Sequence, residues 1–175
     1  MKLKFLPTTI FRETPNVTFL DAGLEVSNGC DVVIHSEEAI SPPNDFKDEQ
    51  YYVHNHQIDH NLVITGERTF ILINPLWDEP HHVIYLNRKM GALEIPAGTY
   101  HRSISGKEGS IVLNQPTRDK FFEPIKEFFP RKLDKVNLVN ARKSPPVFWL
   151  FENGQIKRVR LDPLERKIKM KIWKG

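Results

Sequence analysis

Histidines that could bind a metal are concentrated in one short stretch of the sequence. His54, His56 and His60 lie close together, and His101 ends the segment Pro96–His101. In an uninterrupted strand, successive side chains point to opposite faces, so His54, His56 and His60 would share one face. Neutral imidazole is the commonest side-chain ligand of a divalent transition metal, and a buried imidazole cluster is costly without a partner. The spacing therefore predicts a metal site.

The residues around these histidines resemble the two motifs of the cupin superfamily, the RmlC-like jelly-roll barrels. The first motif has a His-x-His pair, with His60 at the place that usually holds Glu. The second has Gly91, Pro96, Gly98 and His101, with Ser105 where the family has Asn. The resemblance covers about 50 residues and implies that both motifs converge on one metal inside a small β-barrel.

The resemblance implies a metal held by His54, His56, His60 and His101. Four neutral imidazoles leave the charge of a divalent ion uncompensated, so an anionic ligand is favoured in any open position. Fe(II) is the favoured ion, and octahedral Mn(II) or Ni(II) would also keep positions open, whereas four histidines would close tetrahedral Zn(II). Asp59 would lie on the opposite face of the strand from the histidines. Its side chain is therefore expected either to point away from the metal or to accept a hydrogen bond from an imidazole ligand.

Three further side chains are candidates for catalytic roles. Tyr52 lies two residues before His54 and would share its face, while Arg68 and Tyr85 could supply an anion clamp and a proton donor. Arg102 is a second possible clamp, and His35 is expected to be structural. Surface positions are expected for at least one of the adjacent histidines 81 and 82.

The segments that contain these residues are predicted to be β-strands. Many short apolar runs are separated by turn residues at roughly 8 to 12 residue spacing, which is typical of an all-β sandwich or barrel. We predict one cupin domain over residues 1–175, with the jelly-roll barrel core at about 17–118 and a C-terminal extension at 119–175. Within the extension, Asn153-Gly154 predicts a type I′ hairpin over 147–161. An exposed Phe148-Trp149 pair would be a natural contact of a homodimer.

Charge is distributed unevenly along the chain. Residues 1–130 hold 12 Lys and Arg against 18 Asp and Glu, whereas residues 131–175 hold 13 against 4. Charged and apolar residues alternate in Lys167–Lys174, which favours a half-buried edge strand over a nucleic-acid contact. Neither a nucleic-acid partner nor a membrane is expected, because no binding motif or apolar span of about 20 residues is present. A single Cys30 excludes an internal disulfide. We expect a cytoplasmic protein.

Three functions follow from the resemblance. The first is a metal-dependent enzyme that acts on a small anionic or oxygen-rich molecule, either as a dioxygenase or as a carbonyl isomerase or lyase. The second is a metal-free sugar-nucleotide epimerase or isomerase, with a histidine as base and a tyrosine as acid. The third is a cupin that binds or senses a small ligand without catalysis.

Overall fold

The structure, a computed structural model, describes residues 3–14 and 17–160. Strands dominate this part of the chain. They are β1 (Lys4–Leu6), β2 (Thr9–Thr14), β3 (Val17–Asp21), β4 (Asp31–His35), β5 (Ala39–Ser41), β6 (Tyr52–Val53), β7 (Gln57–Ile73), β8 (His81–Leu86), β9 (Ala92–Ile95), β10 (Tyr100–Asn114), β11 (Thr117–Arg118), β12 (Val147–Glu152) and β13 (Gln155–Arg160). A 3₁₀ turn spans Arg88–Met90, and two short helices follow the barrel, α1 (Pro124–Glu127) and α2 (Val136–Lys143).

Two long strands form the centre of the barrel. β7 and β10 pair antiparallel along most of their length. β10 also pairs with β4, β5 and β6, while β8 and β9 pair with β7. The strongly curled sheet that results confirms the predicted all-β jelly-roll barrel.

The barrel interior is apolar over most of its depth. Part of the way along β7, the residues that face the interior change from odd-numbered to even-numbered positions. The cause is a bulge between Val63 and Thr65, where the register with β10 shifts by one residue. Asp59 and Val63 therefore face the interior before this bulge, and Phe70 and Leu72 face it afterwards. The buried core contains Val63, Phe70, Leu72, Trp77, Ile84, Leu86, Met90, Leu93, Ile95 and Val112.

The C-terminal hairpin has the predicted turn. Strands β12 and β13 pair antiparallel around Asn153 and Gly154, whose φ angles of 53° and 79° are those that a type I′ turn requires. β12 also pairs in parallel with β8, so the hairpin extends the sheet of its own barrel. Phe148 is buried and stacks on Tyr85. The expectation of an exposed Phe148-Trp149 dimer contact is therefore wrong.

The sequence also predicted an edge strand near the C-terminus and no membrane span. The alternating segment Lys167–Lys174 lies outside the described residues. Among the residues that are described, no helix is long and apolar enough to cross a membrane.

Candidate active site

Two of the predicted histidines meet around an acidic side chain at one end of the barrel interior. The rings of His54 and His101 have their centroids 4.9 Å apart. Nε2 of His54 lies 3.7 Å from Oδ2 of Asp59, and Nε2 of His101 lies 3.8 Å from the same oxygen. All three side chains are buried. We call His54, Asp59 and His101 the histidine–aspartate cluster.

The hydrogen bonds of the two imidazoles define their tautomers. Nδ1 of His54 donates to the backbone carbonyl of Glu127 at 3.0 Å, and Nδ1 of His101 donates to the carbonyl of Thr99 at 3.1 Å. In the neutral rings, both Nε2 atoms therefore present lone pairs toward the Asp59 carboxylate. Lone pairs and a carboxylate oxygen repel one another, so the centre of the cluster is suited to a shared proton or a cation.

Burial determines the protonation state of His101. It lowers the pKa of His101 to about 4, with the neighbouring His54 acting in the same direction and Asp59 opposing both. The imidazole of His101 is therefore neutral near pH 7. With Nδ1–H engaged by Thr99, its Nε2 can accept a proton or bind a cation but has no proton to donate.

Two amides hold the carboxylate of Asp59 in place. The Oδ1 atom accepts hydrogen bonds from Nε2 of Gln57 at 2.5 Å and from Nδ2 of Asn114 at 2.8 Å. Nε of Arg118 donates to Oε1 of Gln57 at 2.7 Å, which fixes the orientation of that amide. Because Oδ1 is engaged in this way, Oδ2 is the atom that faces the two histidines.

A bend in the chain places His54 in the cluster. β6 ends at Val53, and β7 begins only at Gln57. The bend between them is held by Glu127, whose Oε2 accepts from the backbone N–H groups of Asn55 at 2.7 Å and His56 at 3.3 Å. On the other side, the N–H of Gly98 donates to the carbonyl of His54 at 2.7 Å. This last bond connects the two cupin-like motifs directly.

The same bend separates His56 and His60 from the cluster. His56 lies on the surface, where a hydrogen bond from Nδ1 to Asp119 at 3.0 Å raises the pKa of the imidazole. His60 donates from Nδ1 to the carbonyl of Gln115, and its Nε2 lies 3.5 Å from Glu94. The expectation that three histidines share one face is wrong, because the strand is interrupted between them.

Asp59 takes the place that the sequence pattern gave to His60. The alternation of side chains does not continue from His54 to Asp59, because the strand is interrupted between them. The side chain of Asp59 therefore points into the barrel rather than away from it. Among the described residues, His54, Asp59 and His101 form the group whose potential ligand atoms all lie within 4.8 Å of one another.

Tyr52 is the predicted catalytic residue that lies beside the cluster. Its ring centroid is 6.3 Å from that of His54 and 6.2 Å from that of His101. Phe128 covers this corner, with its ring 4.8 Å from His54 and 6.1 Å from Tyr52. The rings of Tyr52 and Phe128 form a wall next to the two imidazoles.

The structure does not bring Arg68 to the cluster. Arg68 pairs in register with Ser105, four residues along β10 from His101, which corresponds to about 13 Å. All five of its N–H groups are used, by the hydroxyls of Ser103 and Ser110, the carbonyls of Val33 and Ser110, and Nε2 of His35. Burial lowers its pKa to about 10. Arg68 is therefore part of the barrel interior.

Tyr85 and Arg102 also lie away from the cluster. Tyr85 stacks on Phe148 on the opposite face of β8 from the barrel interior, and burial raises its pKa to about 12. Arg102 donates to Asn44 at 2.8 Å and lies over the ring of Tyr51. Neither side chain is placed to contact a molecule bound at His54 or His101.

An open groove lies next to the bend that carries His54. It has a volume of about 800 Å³, within the range of small-molecule sites. Glu127, whose carbonyl binds His54, is one of the residues that line it. Together they are Asn55, His56, Phe121, Glu123, Ile125, Lys126, Glu127, Phe129 and Arg131. The three side chains of the cluster do not line this groove.

The cluster has the chemical character of a divalent metal site. Two imidazoles and one carboxylate present their free atoms to one point, which is the donor set of a two-histidine, one-carboxylate centre. In addition, each imidazole donates its other N–H to a backbone carbonyl, as the ligands of metal sites do. The residues present therefore fit a metal.

Comparison with known proteins identifies the fold. Neither a family model nor a curated protein matches the sequence. Among solved structures, the sugar 3,4-ketoisomerase QdtA from Thermoanaerobacterium thermosaccharolyticum, in complex with TDP, matches with a TM-score of 0.56 at 10% identity, over 79% of this chain and 93% of that one. The dTDP-4-dehydrorhamnose 3,5-epimerase from Elizabethkingia anophelis matches with a TM-score of 0.52 at 11% identity, over 78% and 84%.

A third match has the same character. The TDP-fucose-3,4-ketoisomerase WlaRA from Campylobacter jejuni gives a TM-score of 0.52 at 11% identity, over 72% of this chain and 87% of that one. At these identities the matches show the fold, and they confirm the resemblance found in the sequence. The chain therefore has the jelly-roll barrel fold that these RmlC-like cupins share.

Proposed function

We propose that this chain is an acid–base enzyme of the epimerase or isomerase type. Its substrate would be a small oxygen-rich molecule with a carbonyl group, for which a nucleotide-linked ketosugar is the leading candidate. The observation that carries the proposal is the convergence of two imidazole Nε2 atoms on one carboxylate oxygen, with a tyrosine beside them. Because one barrel fold serves many reactions, the proposal rests on this site first and on the fold second.

The geometry gives each residue a role in moving a proton next to a carbonyl. Nε2 of His54 would take the proton from the carbon, since its Nδ1–H is held by Glu127 and its lone pair is free. The carboxylate of Asp59 would stabilise the imidazolium that forms. The hydroxyl of Tyr52 would donate a hydrogen bond to the carbonyl oxygen as negative charge develops there.

His101 would serve as a neutral acceptor in this scheme. Its lowered pKa keeps it uncharged, so it does not compete with His54 for the charge of Asp59. Its Nε2 can accept a hydrogen bond from a substrate hydroxyl, which would orient the reacting carbon toward His54.

The matched structures support the substrate class. They are a sugar 3,4-ketoisomerase in complex with TDP, a dTDP-4-dehydrorhamnose 3,5-epimerase and a TDP-fucose-3,4-ketoisomerase. Both reactions require loss and return of a proton at carbon next to a carbonyl. The groove of about 800 Å³ beside the bend adds aromatic and cationic side chains within the size range of a nucleotide.

The experiment that tests the proposal is exchange of substrate protons with solvent deuterium. TDP-4-keto-6-deoxyglucose would be incubated with the protein in D₂O, and its ring protons would be followed by NMR. We expect deuterium at carbon next to the ketone, and a rate at least about 100-fold lower in His54→Asn. Asn140→Ala, at an exposed position in α2 that lines neither the cluster nor the groove, is the control and should keep the full rate. Binding without exchange would contradict the enzyme proposal and favour a ligand-binding cupin.

A metal-dependent reaction is the second candidate, and the donor set of the cluster favours it. His54, Asp59 and His101 would hold the ion, which would polarise a carbonyl or activate oxygen. Exchange that is abolished by chelation and restored by one divalent metal would support this candidate. Full exchange in chelator-treated protein would support acid–base chemistry by the side chains alone.

A further inference from the structure

A chain of hydrogen bonds leads from the protein surface to the buried carboxylate of Asp59. Its outer member is Arg118 in β11, whose side chain is 22% exposed. Nε of Arg118 donates to Oε1 of Gln57 at 2.7 Å, and Nε2 of Gln57 donates to Oδ1 of Asp59 at 2.5 Å. Gln57 and Asp59 are both buried. One amide thus connects a cationic side chain at the surface to the acidic residue of the histidine–aspartate cluster.

The guanidinium of Arg118 is held more firmly than that of an ordinary surface arginine. Nη2 donates to Oδ2 of Asp31 at 2.5 Å, and Cζ lies 4.4 Å from the centroid of the Phe122 ring. A Cβ on Gly29 would lie 2.9 Å from Nη1, so the absence of a side chain there lets the backbone approach the guanidinium. The N–H and C=O groups of Arg118 both bond to the side chain of Asn28, at 2.8 and 2.7 Å. These contacts restrict the rotamers that a long side chain would otherwise sample.

The contact with Arg118 selects one orientation of the Gln57 amide. An amide has a donor end and an acceptor end, whereas a guanidinium only donates and a carboxylate only accepts. In the reverse orientation, the NH₂ group of Gln57 would face the guanidinium and Oε1 would face the carboxylate of Asp59. Both hydrogen bonds would then be lost. Arg118 therefore keeps Oδ1 of Asp59 engaged and leaves Oδ2 directed toward the two histidines.

We propose that Arg118 is a positioning residue of the cluster, and that it acts on Asp59 through Gln57. The role rests on the proposed acid–base function, in which the carboxylate of Asp59 stabilises the imidazolium of His54. Arg118 itself does not touch the reacting molecule. It lies outside both cupin-like motifs, and it is held by the segment 28–31, which leads into β4.

The side-chain amide of Gln57 provides a test that does not depend on turnover. In ¹⁵N-labelled protein, we expect its NH₂ signal in the wild type to be shifted downfield and to exchange slowly with solvent, because one hydrogen is bonded to a carboxylate. Gln57→Met removes the signal and so assigns it. Arg118→Met should move the signal upfield and speed its exchange at least about 10-fold. Arg118→Lys keeps a charged donor and should restore part of the protection.

The matched control is Arg158→Met. Arg158 lies in β13 and is ion-paired with Glu79, just as Arg118 is ion-paired with Asp31. Because it has no contact with Gln57 or Asp59, its replacement should leave the Gln57 signal unchanged. Circular dichroism establishes that each variant is folded.

The same variants are then compared in the deuterium-exchange assay with TDP-4-keto-6-deoxyglucose. Arg118→Met should lower the maximal exchange rate about 10-fold, at the lower end of the range for partners of this kind, because Asn114 still donates to Oδ1 of Asp59. The KM should stay within about twofold of the wild-type value, since no contact with substrate is removed. The double variant Arg118→Met with Gln57→Met should be no slower than Gln57→Met alone, because both act along one path.

The two assays separate failure of this proposal from failure of the proposed function. A wild type that exchanges no substrate protons would contradict the proposed function, whereas a Gln57 signal that responds to Arg118→Met would still support the positioning of Asp59. A Gln57 signal that is unchanged in Arg118→Met would overturn the positioning role. So would a raised KM at an unchanged maximal rate, since Arg118 would then contact the substrate directly.

Discussion

Asn114 donates a hydrogen bond of 2.8 Å from Nδ2 to Oδ1 of Asp59, across a sequence separation of 55 residues. Its own Oδ1 accepts the backbone N–H of His60 at 2.9 Å. One buried amide thus connects β10 to two successive residues of β7. It also turns the other oxygen of Asp59 toward the two histidines, so the site depends on a residue that does not touch them.

We predict that Asn114→Ala lowers the free energy of unfolding by about 1–3 kcal/mol, because Asp59 and the N–H of His60 each lose a buried partner. Urea denaturation at pH 7 measures the change. Asn140→Ala, an exposed position in α2, is the control and should change the stability by no more than about 0.5 kcal/mol. Equal stabilities of the two variants would show that the amide does not hold Asp59.

Glu127 is expected to act through the backbone of the bend at Asn55 and His56. Glu127→Ala removes the acceptor of two N–H groups and should cost about 1–3 kcal/mol of stability. It should also slow any proton exchange at His54, because the bend that positions the ring is loosened even though the backbone carbonyl that binds Nδ1 of His54 is retained. Glu127→Gln keeps an acceptor oxygen, so it should retain most of the stability and activity. If Gln and Ala variants lose equal stability, the charge of Glu127 matters rather than its acceptor oxygen.

Gly98 provides a test of the turn that connects the two motifs. Its φ of +76° is unfavourable for a residue with a side chain, although a Cβ there would meet no neighbouring atom. Gly98→Ala should therefore cost about 1–2 kcal/mol through backbone strain alone. Gly106→Ala is a matched control, because its Cβ also meets nothing and its φ is not in the positive range. Thermal unfolding of the two variants compares them, and a similar melting temperature would contradict the argument.

The sequence predicted more of the fold than of the site. Local signals sufficed for the short strands and for the Asn153-Gly154 turn, because these depend on neighbours in the chain. The predicted orientation of Asp59 was wrong, because the alternation of side chains along a strand does not continue through the bend after Val53. Glu127 left no signal at all, since its hydrogen bond to His54 spans 73 residues and exists only once the barrel has formed.

His35 should make the stability of the barrel depend on pH. Burial and, secondarily, Arg68 lower its pKa to about 4 in the folded chain, against about 6.5 when it is exposed. Its Nε2 accepts a hydrogen bond from Arg68, and Nδ1 donates to Ser105, so the ring must be neutral. Between these two pKa values the unfolded chain binds a proton that the folded chain does not, and stability falls as pH decreases from 6.5 to 4.

The variant His35→Gln can replace both hydrogen bonds without titrating. We expect its urea midpoint to fall less than that of the wild type over the same pH interval. His56→Gln is the control, because His56 is exposed and its pKa is raised rather than lowered. If all three proteins lose stability equally between pH 6.5 and 4, His35 does not contribute to the acid sensitivity.

The final prediction concerns which side chains would hold a divalent metal. In chelator-treated protein titrated with Co(II) or Ni(II), we expect any stoichiometric binding to weaken about 100-fold or more in Asp59→Asn and His101→Ala, because each removes a ligand atom from the cluster. His60→Ala and His56→Ala should bind like the wild type, since both rings are engaged elsewhere. Isothermal titration calorimetry gives the affinities. The reverse pattern, with binding lost in the His56 and His60 variants and kept in Asp59→Asn, would mean that the shell implied by the cupin motifs forms on metal binding.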